Sequence, residues 1–339
     1  MSKRLKWIDV AKGIGIITVV MGHSNSTFLP HYLFWFHMPL FFIISGYLYN
    51  PINLINLRNW SIKVSKKFLI PYISYGLLIS ILVLIIQKDS IGFVKQIIKL
   101  FYGGELLLGY FATFWFITCL LFTQVIFSFI NSKFKFSTQI LIILILYLLS
   151  HLISSLKFIK DFPVPFNFDV VLISICYYSI GFYTKEKINK LITLSSTLII
   201  CSVGVLTLCL LDASNIMNYS LDMKYNEYNH YILDLLIPLI FTLFILCISY
   251  KLSKTYLTNI LEKCGKVSLT IMYLHMPINL LLKDLLSIDY GLILFTLIGI
   301  IIPMLINDFI FEKKNFLRYL FLGNLNSSKI RNNNSKISV

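Results

Sequence analysis

Three ionisable residues stand where a membrane-spanning helix has little use for them: Asp9, Lys12 and His23, all in the first apolar run of the chain. An ionisable group at membrane depth costs about 2.5–3.5 kcal/mol on insertion scales, so such residues are candidates for function before anything else. Asp9 and Lys12 are three apart, which makes them neighbours on one helical face and able to pair. Lys12 and His23 are eleven apart, three turns plus about 20° of rotation, which sets the imidazole about 16 Å further along the same stripe. A histidine between Gly22 and Ser24 in a narrow cavity has the chemistry of a proton acceptor. The plainer alternative is an ion pair capping the helix at the interface and a hydrogen-bonded core histidine. Gly13, Gly15 and Gly22 leave room for close helix packing or for a bound molecule.

Other residues could join this stripe. His37-Met38-Pro39 lies early in the second apolar run, near the same mouth, and Pro39, lacking an N–H, is expected to bend that helix. Arg58, Lys63, Lys66 and Lys67 put four cations within ten residues, which suits a phosphate-rich ligand or, equally, lipid headgroups. Trp115, between Phe114 and Phe116, is a cavity wall or an interfacial anchor. His275, eight residues into a later apolar run, is another intramembrane histidine. Asp169 and Asp234 fall near the ends of apolar runs and either line a vestibule or mark the interface. His31 reads as loop and His151 and His230 as interfacial residues, and none receives a role.

The elements that must position these residues are read from hydropathy. Of 339 residues, 57% are hydrophobic and 13% charged, with a mean hydropathy of +0.79; a soluble domain has about a quarter of its residues charged. Apolar runs of spanning length predict an all-α polytopic membrane protein of about ten helices, near 8–28, 32–50, 69–87, 113–131, 138–156, 168–184, 192–211, 231–250, 267–286 and 290–311. Ten spans put both termini on one side. Of the 30 Lys and Arg, 22 then fall on the side of the termini and 7 on the other, Lys12 lying within the first helix. The positive-inside rule makes the basic side cytoplasmic and both termini with it. The spacing of Ile91, Val94, Ile97, Ile98 and Phe101 within 88–112, with Lys95 and Lys99 between them, predicts an amphipathic helix at the outer interface. Residues 1–323 read as a single transmembrane domain. Residues 324–339, rich in Asn, Ser and Lys, read as a disordered cytoplasmic tail.

Several classes are set aside. The net charge of +15 is explained by topology, not by a nucleic-acid partner. The six cysteines lie mostly in apolar runs and form no C-x-x-C pair, so neither a disulfide framework nor a metal site is expected. The first apolar run carries charge at its start and is followed by no small-residue cleavage site, so it reads as a retained helix. No internal repeat is visible, which argues against an inverted-repeat transporter.

The stretches RLKWIDVAKGIGIITVVMGHS, LFWFHMPLFFIISGYLYN, KKFLIPYI, FWFITCLLF and LEKCGKVSLTIMYLHMPI resemble, in order, those of the acyltransferase-3 family of membrane proteins, which includes bacterial O-acetyltransferases of O-antigen and capsule. The family's helix 1 signature of Arg, ten residues, then His is matched by Lys12 and His23, keeping the charge without arginine's bidentate fork. Its Arg-x-x-Arg motif is matched loosely by Lys63-Val-Ser-Lys66 with Lys67. The resemblance implies a cytoplasmic acyl-coenzyme A donor (acetyl-CoA as co-substrate, with no permanently bound cofactor) and a hydroxyl of a cell-envelope glycan, free or lipid-linked, as acceptor. It makes His23 the general base or a transient acyl carrier, with Asp9 balancing Lys12. Lys63, Lys66 and Lys67 would hold the coenzyme phosphates. His37 and Tyr47 are expected on the outer, acceptor-facing side, and Trp115 and His275 as cavity walls. The competing function is a polysaccharide exporter without acyl transfer, which has no use for an Asp-Lys-His stripe beside a cytoplasmic basic patch.

Overall fold

Among the described residues, length and composition make eight helices able to cross a membrane, and the rest of the architecture is built around them. The structure is a computed structural model describing residues 5–24, 28–156, 162–228, 230–286 and 290–325; most of the expected tail, from residue 326, lies outside the described residues. The helices are α1 Lys6–Gly22, α2 Phe28–Phe34, α3 His37–Tyr47, α4 Leu54–Gln87, α5 Ser90–Tyr102, α6 Trp115–Lys133, α7 Phe136–Ser155, α8 Val170–Tyr183, α9 Lys185–Leu191, α10 Ser195–Ala213, α11 Leu233–Leu252, α12 Thr258–Lys266, α13 Ser268–Leu286, α14 Leu292–Phe309 and α15 Asn315–Leu322. Among the described residues there is no strand, only an isolated bridge between Asp222 and Glu227.

The chain is an all-helical polytopic membrane protein. The eight spanning-length segments carry α4, α6, α7, α8, α10, α11, α13 and α14. Leu141, Leu144, Ile145 and Leu148 of α7 and Ile199, Ile200, Val203 and Leu206 of α10 are exposed, as lipid-facing residues are when the surrounding solvent is as apolar as they are. The first helix has 17 residues, and the second expected helix is two pieces, α2 and α3. Pro39 does not bend α3. It lies in the first turn, where a missing N–H is one of the donors no helix satisfies internally.

α1 is the central element. It packs on α2, α3, α11, α12, α13 and α14. Two close crossings depend on glycine. A Cβ on Gly13 would lie 2.0 Å from the Leu261 carbonyl oxygen, and one on Gly265 would lie 1.8 Å from that of Asp9, so α1 and α12 touch backbone to backbone. Gly46 and Gly181 do the same for α3 and α8: their Cβ atoms would fall 1.8 Å from the Tyr178 and 1.9 Å from the Ile43 carbonyl oxygens. Small residues allowing such approach are the usual glue where lipid supplies no hydrophobic drive. α4 is 34 residues long with Pro71 inside. The expected amphipathic helix is α5, whose N-cap Asp89 accepts from the Gly92 N–H at 2.9 Å; it leaves Ile91, Val94, Ile98 and Phe101 exposed.

Candidate active site

The stripe on α1 opens into two different spaces. Asp9 and Lys12 line a large cavity of about 990 Å³ at the lysine-rich end, with Lys67 of α4, Lys263 and Lys266 of α12, and Ser45 of α3. That volume lies at the top of the roughly 300–1,000 Å³ range of ligand sites. Two of its lysines are already paired: Lys263 with Asp308 at 2.6 Å, and Lys266 with Glu262. Lys63 and Lys66 are exposed and form no part of the wall, so of the three lysines expected to act together only Lys67 reaches the cavity.

His23 lies just past the end of α1, half-buried, in a second and smaller pocket of about 210 Å³ with His37, Trp115 and Lys224. Its Nδ1 is 2.8 Å from the Val19 carbonyl oxygen. A carbonyl only accepts, so Nδ1 carries the proton and Nε2 is left with a free lone pair. Around this ring stand two more imidazoles. The ring of His275 is 5.3 Å from that of His23 between centroids, and Phe34 is 6.0 Å from His23 and 4.9 Å from His37. His275 is tied by Nδ1 to the Ile271 carbonyl at 2.7 Å, by the same logic as His23. The buried Nδ1 of His37 and Nε2 of His275 have no hydrogen-bond partner among the described residues. Unpartnered buried polar nitrogens are rare, and two of the four among the described residues stand beside this one imidazole.

Phe116 and Met272 line both the cavity and the pocket. The two spaces are therefore back to back, with a septum one side chain thick. Thr113, whose hydroxyl donates to the Met272 carbonyl at 2.7 Å, and Phe41 and Phe42, packed on Phe116, hold that septum in place.

One side of the pocket is lined by a strap, residues 221–228. Asp222 and Glu227 exchange backbone hydrogen bonds of 3.0 and 2.9 Å. Asp222 and Lys224 line the pocket, and neither was singled out from sequence. The one available signal was a lysine between two acids on the side poor in cations. Burial pulls the Lys224 ammonium down to about 8, against the opposing pull of Asp222 and Glu105. Burial raises the Asp222 carboxyl to about 6.

Two expected placements need correction. Tyr47 is not on the side of His23. Ten residues beyond His37 and so about 15 Å along α3, it donates to Asn189 Oδ1 at 2.6 Å, packs on Trp7 and lies under the Lys185 ammonium, all at the lysine-rich end. His151 is not interfacial: it is buried, with Nε2 3.1 Å from Asp234 Oδ2. Trp115, by contrast, lies in the pocket wall.

The family model described as an acyltransferase domain matches residues 5–311. The chain belongs to the acyltransferase-3 family. Comparison with curated proteins and with solved structures gives no match. The match spans α1 to α14 and includes the septum, the whole lining of the histidine pocket and all of the cavity's lining but Glu312 and Leu322, so both spaces of this membrane acyltransferase are built mainly from its family domain.

Proposed function

We propose that this acyltransferase moves an acetyl or other short acyl group from acyl-coenzyme A, taken from the cytoplasm, to a hydroxyl of a cell-envelope glycan. The lysine-rich end is then the cytoplasmic one, and the membrane is the bacterial inner membrane. The observation that carries the reading is the division of one helix between two spaces: Lys12 and Asp9 in a cavity sized for a large ligand, His23 in a pocket at its back, with Phe116 and Met272 common to both. A phosphate-bearing donor suits the first space and a proton-accepting imidazole the second.

In this mechanism Lys67 and Lys12 attract the coenzyme phosphates as point charges. The uncharged pantetheine arm runs along α1 and brings the thioester past Phe116 and Met272. Nε2 of His23 is the working atom. As a base it takes the acceptor's hydroxyl proton while the oxygen attacks the thioester carbonyl. The tetrahedral intermediate collapses with cleavage of the C–S bond, and the thiolate leaves with the proton held on His23. As an acyl carrier Nε2 attacks the carbonyl itself and the C–S bond breaks, coenzyme A leaving as the thiolate; the acceptor oxygen then takes the acyl group, the N–C bond breaks, and the hydroxyl proton passes through the regenerated imidazole to the thiolate. Both routes need Nδ1 protonated and Nε2 free, the form favoured by the Val19 carbonyl.

The test is His23→Ala, with the envelope polysaccharides of wild-type and mutant cells compared by mass. The mutant is expected to lose one acyl mass increment while protein abundance in the membrane stays the same. Unaltered acylation in the mutant would remove His23 from the chemistry.

A further inference from the structure

We propose that the outer pocket is an acceptor subsite for a single pyranose ring, held against His23 by Lys224 of the strap. The inference rests on the acyltransferase reading above and adds to it the grip on the acceptor and the size of what is gripped.

The first argument is the position of Lys224. Its side chain is 7% exposed, and moving an ammonium out of water costs several kcal/mol unless its partners are excellent. A lysine buried for structure would face a carboxylate or several carbonyls. Lys224 Nζ donates to the Leu107 carbonyl at 2.6 Å and has the face of Tyr225 at 5.1 Å, but no carboxylate stands within salt-bridge range of it among the described residues. The nearest in sequence, Asp222, accepts from the Lys224 backbone N–H at 3.0 Å. An ammonium has three donors, and the carbonyl takes one.

The second argument is that the strap is pinned. Asn167 donates to the Lys224 carbonyl at 2.8 Å. Ser154 Oγ meets the carbonyls of Asn226 and Tyr228, both at 2.7 Å, and the Asn226 side chain donates to Asp169. Lys224 is thus presented from a fixed frame, as positioning of a substrate demands. Size is the third argument. An apolar cavity of about 150 Å³ takes up one benzene molecule; 210 Å³ therefore holds one six-membered ring with its substituents, and any ring linked to it lies outside the pocket. Trp115, Tyr225 and Phe34 supply apolar ring faces and His23, Asp222 and Lys224 the polar atoms, a mixture suited to a ring with C–H faces and hydroxyl edges. In this placement one hydroxyl meets His23 Nε2 and a second oxygen accepts from Lys224 Nζ.

The strap titrates in a useful range. Asp222 and Glu105 face the ammonium from the strap and from the turn after α5, and His23 faces it from α1. Above pH 7 the ordinary carboxylate and imidazole ranges are passed, and Asp222, near 6, is ionised. Loss of the Lys224 proton near 8 is then the change the acceptor feels, and its affinity falls as pH rises through that value.

The experiment uses the full-length protein in detergent and a panel of methyl pyranosides: hexosides, 6-deoxyhexosides, N-acetylhexosaminides and hexuronides. Glycoside binding is read by saturation-transfer NMR without donor, and turnover with acetyl-labelled coenzyme A. One glycoside class is expected to bind and accept label, with affinity dropping about tenfold between pH 7 and 9.5. Lys224→Gln is expected to raise the acceptor KM roughly tenfold or more, the loss of a hydrogen bond to a charged donor, with the KM for acetyl-CoA unchanged; Lys224→Arg keeps binding and carries the alkaline limb beyond pH 10. A flat pH profile in the wild type, or donor and acceptor KM rising together in Lys224→Gln, overturns the role of Lys224. Label passed to a non-sugar hydroxyl, or to an internal ring of an oligosaccharide and not to the glycosides, overturns the one-ring subsite while sparing the acyltransferase reading. A wild type that neither consumes acetyl-CoA nor binds any glycoside overturns both.

Discussion

At the scale of single residues, the two spaces assign different work to residues of like charge. Lys66 and Lys67 are both exposed on α4, and of the two only Lys67 borders the cavity. Lys67→Gln is expected to raise the KM for acyl-CoA about tenfold, as for a hydrogen bond to a charged group. Lys66→Gln should leave it nearly unchanged, since Lys66 does not border the cavity; steady-state kinetics on the two purified variants checks both. His23 and Lys12 were legible in the sequence because ionisable residues in an apolar run are rare enough to stand out. Lys224 was not: a lysine in a polar loop is ordinary, and only the folded strap takes it out of water. Tyr47 was misplaced for a related reason. Its spacing from His37 was available, but treating one motif as one site put both at the same end.

At the scale of elements, glycine sets how closely α3 and α8 approach. Gly46→Ala places a methyl group 1.8 Å from the Tyr178 carbonyl oxygen, and backbone cannot step aside as a side chain can. We expect a loss of several degrees in thermal midpoint in detergent, with destabilisation of about 1–3 kcal/mol or more as for overpacked cores. Gly15→Ala is the control: its methyl meets Leu40 and Phe41 side-chain atoms at 3.0–3.2 Å, which rotate. The spanning helices themselves were readable because length and hydropathy decide them. The break between α2 and α3 was not, because hydropathy runs straight through it, and Pro39 could mark either a bend or a beginning.

At the scale of the whole molecule, the septum governs what passes between the two spaces. Phe116 is 4% and Met272 3% exposed, so shortening either opens a channel inside a packed wall. Phe116→Ala is expected to raise turnover of butyryl-CoA relative to acetyl-CoA by about tenfold, within the range by which added methylenes are discriminated in apolar pockets; competition between the two labelled donors measures it. An unchanged ratio would mean that acyl length is read elsewhere. The back-to-back arrangement could not be read from the chain, because Phe116 and Met272 are unremarkable apolar residues until α6 and α13 bring them together.

The length of α4 also has a consequence for electrostatics. Its 34 residues make a rod of about 51 Å, some 20 Å longer than a hydrocarbon core of about 30 Å. The surplus lies at its lysine-bearing start. In the proposed mechanism a nucleotide caught beside Lys67 keeps its anionic groups in a medium of high dielectric constant and escapes the Born penalty of entering oil. Only the neutral thioester limb need go further, so the lipid itself filters the cargo by polarity.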